Sequence, residues 1–187
     1  MYFTEDHIRR ITISYPINES REYSLERSRT SVFLSHKHSD RGLMLRIKEM
    51  FQHLGIEVYI DWLDEEMTAQ TSGRTANILK KKIKQYDKFI LVATNGAIAS
   101  KWCNWELGLG DADKYEKDKI SIMPIANSNN GSWDGNEYLQ IYPTIEYEDG
   151  TSKYVNGKYI PEGYYVLYPE DEKHTRKVTL LKDWLLK

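Results

Sequence analysis

A single cysteine, Cys103, stands among the 187 residues, so no disulfide can form within the chain. A reducing, cytoplasmic setting is therefore expected. No stretch approaches the ~20 consecutive apolar residues that a bilayer-spanning helix needs. The opening "MYFTEDHIRR" is charged and lacks the apolar centre of a secretory signal. Excess charge is absent as well: 26 Lys and Arg stand against 28 Asp and Glu, a formal charge of −2. Without a basic field, neither nucleic acid nor an anionic membrane is expected as a partner. The concentrated basic run "LKKKIK" (79–84) falls inside a helical pattern and reads as a solvated helix face.

Residues 1–30 are polar and weakly patterned, and read as an N-terminal extension outside the main core. From Ser31 the texture changes. "SVFLS" (31–35) is a short apolar run of strand formers, followed by the turn-like "HKHSD". In "RGLMLRIKEMFQHLG", Leu43, Ile47, Met50, Phe51 and Leu54 recur at helical spacing and Gly55 marks a stop. "IEVYID" (56–61) reads as a second strand, "WLDEEMTAQTSG" as a loop, and "RTANILKKKIKQYD" as a helix with Ala76, Leu79, Ile83 and Tyr86 along one side. A third strand, "KFILVAT" (88–94), precedes a third helix capped by Ser100, and "KISIMPIA" (119–126) supplies a fourth. Strands alternating with helices, and strands apolar along their whole length, predict a parallel α/β sheet with helices on both faces.

The closing part, 127–187, is rich in Tyr. It carries expected strands at 144–149 and 164–169, a turn signal at Asn156–Gly157, and a terminal "RKVTLLKDWLLK" with the apolar spacing of an amphipathic helix.

Ligands of open parallel sheets bind beyond the carboxyl ends of the strands. Those ends deliver Ser35, His36 and Lys37 from the first strand, Asp61 and Trp62 from the second, and Thr94 and Asn95 from the third. The helix entered from that edge carries Trp102 and Glu106, four residues apart and so one turn apart on one face. Cys103 and Leu107 share a different face, the better candidate for packing on the sheet, which leaves Glu106 at the rim of the crevice. No dinucleotide fingerprint follows the first strand, and no G-x-x-x-x-G-K-[ST] phosphate loop occurs. A two-component receiver would need paired acids where this chain has "SHKH". His36, His38 and Asp40 lack a second group of ligands, so no metal is expected. Ser35 and His36 are strand neighbours that point to opposite faces, which argues against a nucleophile pair.

Three tracts together resemble the TIR domain family. "SVFLSHKHSD" is similar to its first box, "VYIDWLDEEM" to its second strand entering a long loop, and "SKWCNWELG" to its tract W-C-x-x-E-L. The likeness covers about residues 31–126, and "YYVLYP…TLLKDWLL" resembles the closing strand and helix of stand-alone bacterial members. The resemblance implies a flavodoxin-like, doubly wound parallel sheet of about five strands over 31–187. It further implies cleavage of the nicotinamide–ribose bond of NAD, giving nicotinamide and ADP-ribose or a cyclic isomer, as a signal in anti-phage immunity. NAD would be the substrate, with no cofactor.

On that resemblance Glu106 is the catalytic residue, with Trp102 one turn earlier. Ser35, His36 and Lys37 line the nicotinamide end, and Asp61, Trp62 and Cys103 complete the substrate-binding set. The loop 62–73 would gate the site and mediate self-association, and a separate effector protein would respond to the product. That loop departs from the family in having Gly73 without a preceding Pro. The rival classes are a non-catalytic interaction or scaffold module and a virulence factor.

Overall fold

The computed structural model describes residues 1–14, 30–67, 72–127, 133, 135–153, 157–172 and 174–187. In chain order these form β1 (Phe3–Thr4), α1 (Glu5–Ser14), β2 (Ser31–Ser35), α2 (Arg41–His53), β3 (Glu57–Tyr59), α3 (Gly73–Gln85) and β4 (Lys88–Ala93). There follow α4 (Asn95–Ile98), α5 (Lys101–Lys114), β5 (Ile120–Ala126), β6 (Thr144–Glu148), β7 (Gly163–Leu167), β8 (Val178–Leu180) and α6 (Leu181–Leu185).

The strands make one sheet in the order β3-β2-β4-β5-β6-β7-β8. From β3 to β6 every pairing is parallel, with Phe33 opposite both Tyr59 and Phe89. This is the flavodoxin-like order expected of five parallel strands. Beyond it, β7 and β8 continue the sheet antiparallel.

Side chains alternate across each strand, and the two faces collect two cores. Val32, Leu34, Ile90, Val92 and Met123 pack against Met44, Ile47 and Phe51 of α2 and Trp184 of α6. Phe33, Phe89, Leu91, Ala93 and Ile122 pack on the other side against Leu79 and Ile83 of α3 and Cys103 and Leu107 of α5. All residues of β4 and β5 are buried, which accounts for their long apolar runs, interrupted by Lys88 at the start of β4 and Ser121 within β5.

Three expectations change. Residues 1–14 do not stand outside the core. Phe3 and Ile8 are 0% and 1% exposed; β1 pairs with Ile125 and Ala126 of β5, and the Tyr147 N–H of β6 donates to the Met1 carbonyl. Residues 15–29 of the expected extension lie outside the described residues.

The terminal amphipathic pattern divides: Val178–Leu180 is a strand on β7, and only Leu181–Leu185 is helical. The open edge of β7 offers three residues backbone partners that a helix in isolation would have to find internally. Finally, the loop after β4 contains α4, whose N-terminus is capped by Thr94 Oγ1 accepting from the Ala97 N–H. Gly55 does end α2, at φ +77°. Of the turn signal at 156–157, Asn156 lies outside the described residues.

Replacing Phe3 with Ala is expected to cost ~3–5 kcal/mol, the usual loss for emptying a buried aromatic site. Chemical denaturation measures it. A variant that unfolds with the parent midpoint would return the first residues to the status of an appendage.

Candidate functional site

The site forms where the carboxyl ends of β2 and β3 meet the first turns of α5. Helix α5 is started by Ser100, whose Oγ accepts from the Cys103 N–H. It is drawn against β4 by Gly110: a Cβ there would stand 2.8 Å from the Phe89 ring. That close approach sets the depth at which the next side chains enter the sheet edge. Ser35 follows Phe33 by two residues and shares its face, so its hydroxyl looks at α5. It donates to Glu106 Oε2 over 2.6 Å. Trp102 is bonded to the same carboxyl, and the Cys103 thiol donates to the His36 carbonyl over 3.2 Å.

Glu106 is only 3% exposed. The rim position expected from the sequence is therefore corrected: the carboxyl is inside. Cys103, Glu106, Leu107 and Gly110 form one buried stripe of α5, because residues three apart on a helix, like residues four apart, lie on the same side. Burial, reinforced by the charge of Asp61, lifts the Glu106 pKa from 4.5 to about 8, against the pull of the bonds from Ser35 and Trp102. At neutral pH the carboxyl of the unliganded chain is mostly protonated.

His36 and Asp61 lie next to it. The imidazole Nδ1 meets the Leu34 carbonyl at 3.1 Å; only a donor can face a carbonyl, so Nδ1 carries the hydrogen. Nε2 is then an acceptor, 3.5 Å from Asp61 Oδ1. Asp61 Oδ1 also receives the Trp62 backbone N–H over 2.7 Å. Burial holds the His36 pKa below its ordinary value, more strongly than Asp61 raises it. Burial likewise pushes the Cys103 thiol up to about 11, so it stays a thiol.

Other expected site residues are placed apart. Lys37 is exposed, and its side chain lies across α4, where a Cβ on Gly96 would stand 2.8 Å from Lys37 Cδ. Trp62 packs on the α2 face of the sheet with the Arg41 guanidinium 5.2 Å above its ring. Trp102 packs on the α3–α5 face, stacked on Trp105 at 4.8 Å. The two tryptophans do not flank one space.

Asp40, weighed in the sequence only as a metal ligand, accepts from the Thr94 hydroxyl at 2.7 Å and ties the loop after β2 to the end of β4. The loop 62–73 is described except for 68–71. Its start is braced by Asp64, which meets Lys82 of α3 at 3.0 Å. No group of three or more His, Cys, Asp or Glu among the described residues is placed to hold a metal ion. A cavity of about 530 Å³ lies among Tyr2, Trp133, Leu139, Tyr142, Tyr168 and Arg176. It shares no residue with the carboxylate cluster, and volume alone does not make it the site of chemistry.

Comparison with known proteins bears on this cluster. The family model described as the TIR domain matches residues 32–154. A protein of Bacillus cereus (strain MSX-D12) named "Probable 3' cyclic ADP-D-ribose synthase ThsB'" is 32% identical over 117 residues, covering 61% of this chain and 59% of that protein. A protein of Cytobacillus dafuensis named "Putative cyclic ADP-D-ribose synthase TIR2" is 32% identical over 79 residues, 41% of this chain and 21% of that protein. The chain thus spans less than two thirds of the length of either relative.

The buried carboxyl makes a thermodynamic signature. Folding raises its pKa, so its favourable contribution is complete below 4.5 and is lost as pH rises toward about 8. Glu106→Gln does not titrate. It is expected to gain on the parent by about 1.4 kcal/mol per pH unit across that window, and to hold a constant lead above it. Denaturation curves at several pH values read this out. A difference independent of pH would show a carboxyl that ionises as freely as on the surface.

Proposed function

This chain belongs to the TIR domain family, and from that premise we propose that it cleaves the nicotinamide–ribose bond of NAD, with Glu106 as the catalytic carboxylate. The observation that carries the reading is the carboxyl at the parallel sheet's carboxyl edge, buried and gripped by Ser35 and Trp102. Relatives named as cyclic ADP-D-ribose synthases support it.

The chemistry asks little of an acid. The C1′–N bond breaks with its electron pair going to the ring nitrogen, so a cationic nicotinamide leaves as a neutral molecule. What remains is a ribosyl oxocarbenium ion. A carboxylate held in a dry place stabilises that charge far better than one in water, and it needs no reorganisation at the moment of cleavage. The Ser35 and Trp102 bonds fix where the negative charge stands.

The raised pKa adds a selectivity. In the empty chain Glu106 is mostly neutral, which spares the fold a buried charge. A nicotinamide cation brought beside it favours the ionised form. Binding and activation of the carboxylate are then one event. NAD is the substrate, and no separate cofactor enters.

Capture of the cation by water gives ADP-ribose. Capture by a hydroxyl of the same molecule gives a cyclic isomer. In the cell we place this reaction in the cytoplasm, its product a signal in anti-phage immunity read by a separate effector protein. Self-association through the loop 62–73 completes the proposal.

Purified protein incubated with NAD is expected to release nicotinamide together with ADP-ribose or a cyclic isomer, identified by mass spectrometry. kcat/KM should climb about tenfold per pH unit and level off near 8, the pKa of Glu106 in the free chain. Glu106→Gln should lower turnover by ~10²–10³. Folded parent protein that releases no nicotinamide would leave the scaffold reading in its place.

Assembly has its own test. Specific activity should rise with protein concentration across a dilution series. A flat series would show that one chain holds a complete site.

A further inference from the structure

His36 is an anomaly of polar bookkeeping. Its Nδ1–H is spent on the Leu34 carbonyl, and its Nε2 is buried without a hydrogen-bond partner. An unsatisfied buried acceptor costs about 1–3 kcal/mol. The group that Nε2 faces, Asp61 Oδ1 at 3.5 Å, is an acceptor too. Two acceptors turned toward each other repel, and each has something to gain from one missing particle, a proton. A histidine kept only for packing would turn its N–H toward the carboxylate and its bare nitrogen elsewhere.

The reaction proposed above, on which this inference rests, generates such a proton. Loss of nicotinamide releases none. When a hydroxyl then attacks C1′, the new O–C1′ bond leaves an oxonium whose O–H bond must break for the product to form. We propose that Asp61 and His36 together accept that proton. The order follows from access: the Asp61 side chain is 12% exposed and that of His36 1%. The hydroxyl therefore meets the carboxylate first. The O–H electrons stay on oxygen, the proton passes through Asp61 to Nε2, and the pair ends as carboxylate and imidazolium in direct contact.

Glu106 is not free for the task, being held by Ser35 and Trp102 and committed to the cation. The other charged or titratable groups bearing on His36 are His38 and Asp40. His38 is exposed, and Asp40 is engaged by the Thr94 and Ser39 hydroxyls.

A nucleophile without a proton separates this role from all others. Nicotinamide attacks through its ring nitrogen and sheds nothing, so exchange of isotopically labelled nicotinamide into NAD needs the cation and Glu106 but no proton acceptor. Hydrolysis and cyclisation need both. In His36→Gln and in Asp61→Asn, the ratio of hydroxyl-derived product to exchange should fall by about 10²-fold, the usual worth of a positioned base. Thermal melts accompany both variants; should His36→Gln fail to fold, Asp61→Asn carries the same ratio. If exchange and product formation fall in parallel, or neither falls, the pair is not the acceptor and the proposal is overturned. Parent protein that performs neither reaction overturns the NAD-cleaving reading itself, and this inference with it.

Discussion

The hydrogen bond from Ser35 to Glu106, 2.6 Å long and closed to solvent, joins the end of β2 to the middle of α5. A carboxyl inside a core is tolerated only where its oxygens are met, and the surrounding structure meets them. Ser35 stands on the face of β2 that looks at α5. Gly110 lets α5 approach Phe89 closely enough for that hydroxyl to reach. The Ser100 cap fixes the phase of the helix and so the direction in which Trp102, Cys103 and Glu106 point. Removing any of these leaves the others without a purpose: a buried acid with no donor, or a donor with no acid.

The sheet supplies what that bond cannot. Its parallel order brings β2, β3 and β4 to one edge, so that Ser35, Asp61 and Thr94 arrive from separate strands. Each then engages something outside its own strand or at its start. Ser35 takes Glu106, Thr94 takes Asp40, and Asp61 holds the first N–H of the following turn. The antiparallel strands β7 and β8 lie beyond β6, and the early strand β1 pairs with the last residues of β5, Ile125 and Ala126. They close the far flank, where Trp184 and Phe3 fill the core beside α2. The candidate site and the far flank thus draw on different parts of one sheet, and a cavity of about 530 Å³ on that flank shares no residue with the Glu106 cluster.

The central sheet was legible because burial on both faces leaves a long signature: β4 and β5 are apolar but for Lys88 and Ser121, and no local alternative competes for them. Two-residue β1 has no such signature, since one buried Phe in a polar stretch is common in any loop. At the other end, "VTLLKDWLL" satisfies a helical period throughout, and only the open edge of β7 decides that Val178–Leu180 pairs instead.

Within the site, the tract around Glu106 was readable and its burial was not. Acids are read as surface by default. The signal that could have corrected this lies in the helix phase, where Cys103, Glu106, Leu107 and Gly110 fall on one stripe. The vacant Nε2 of His36 could not have been found, because it depends on which carbonyl the opposite nitrogen meets.

Asp61 then carries a double weight. It stands near enough to Glu106 to raise its pKa, and near enough to His36 to raise that one also. Its charge adds to burial in disfavouring the ionised form of Glu106. In the empty chain Glu106 is thus held mostly protonated at neutral pH, and burial keeps the His36 pKa below its ordinary value. On the proposed reading, a substrate cation beside Glu106 offsets burial and the Asp61 charge and favours its ionised form. The same Asp61 carboxylate faces His36 Nε2 at 3.5 Å and is the acceptor proposed for the proton after cleavage. One acid in the turn after β3 thus bears on two groups that other elements deliver, the carboxyl of α5 and the imidazole that follows β2.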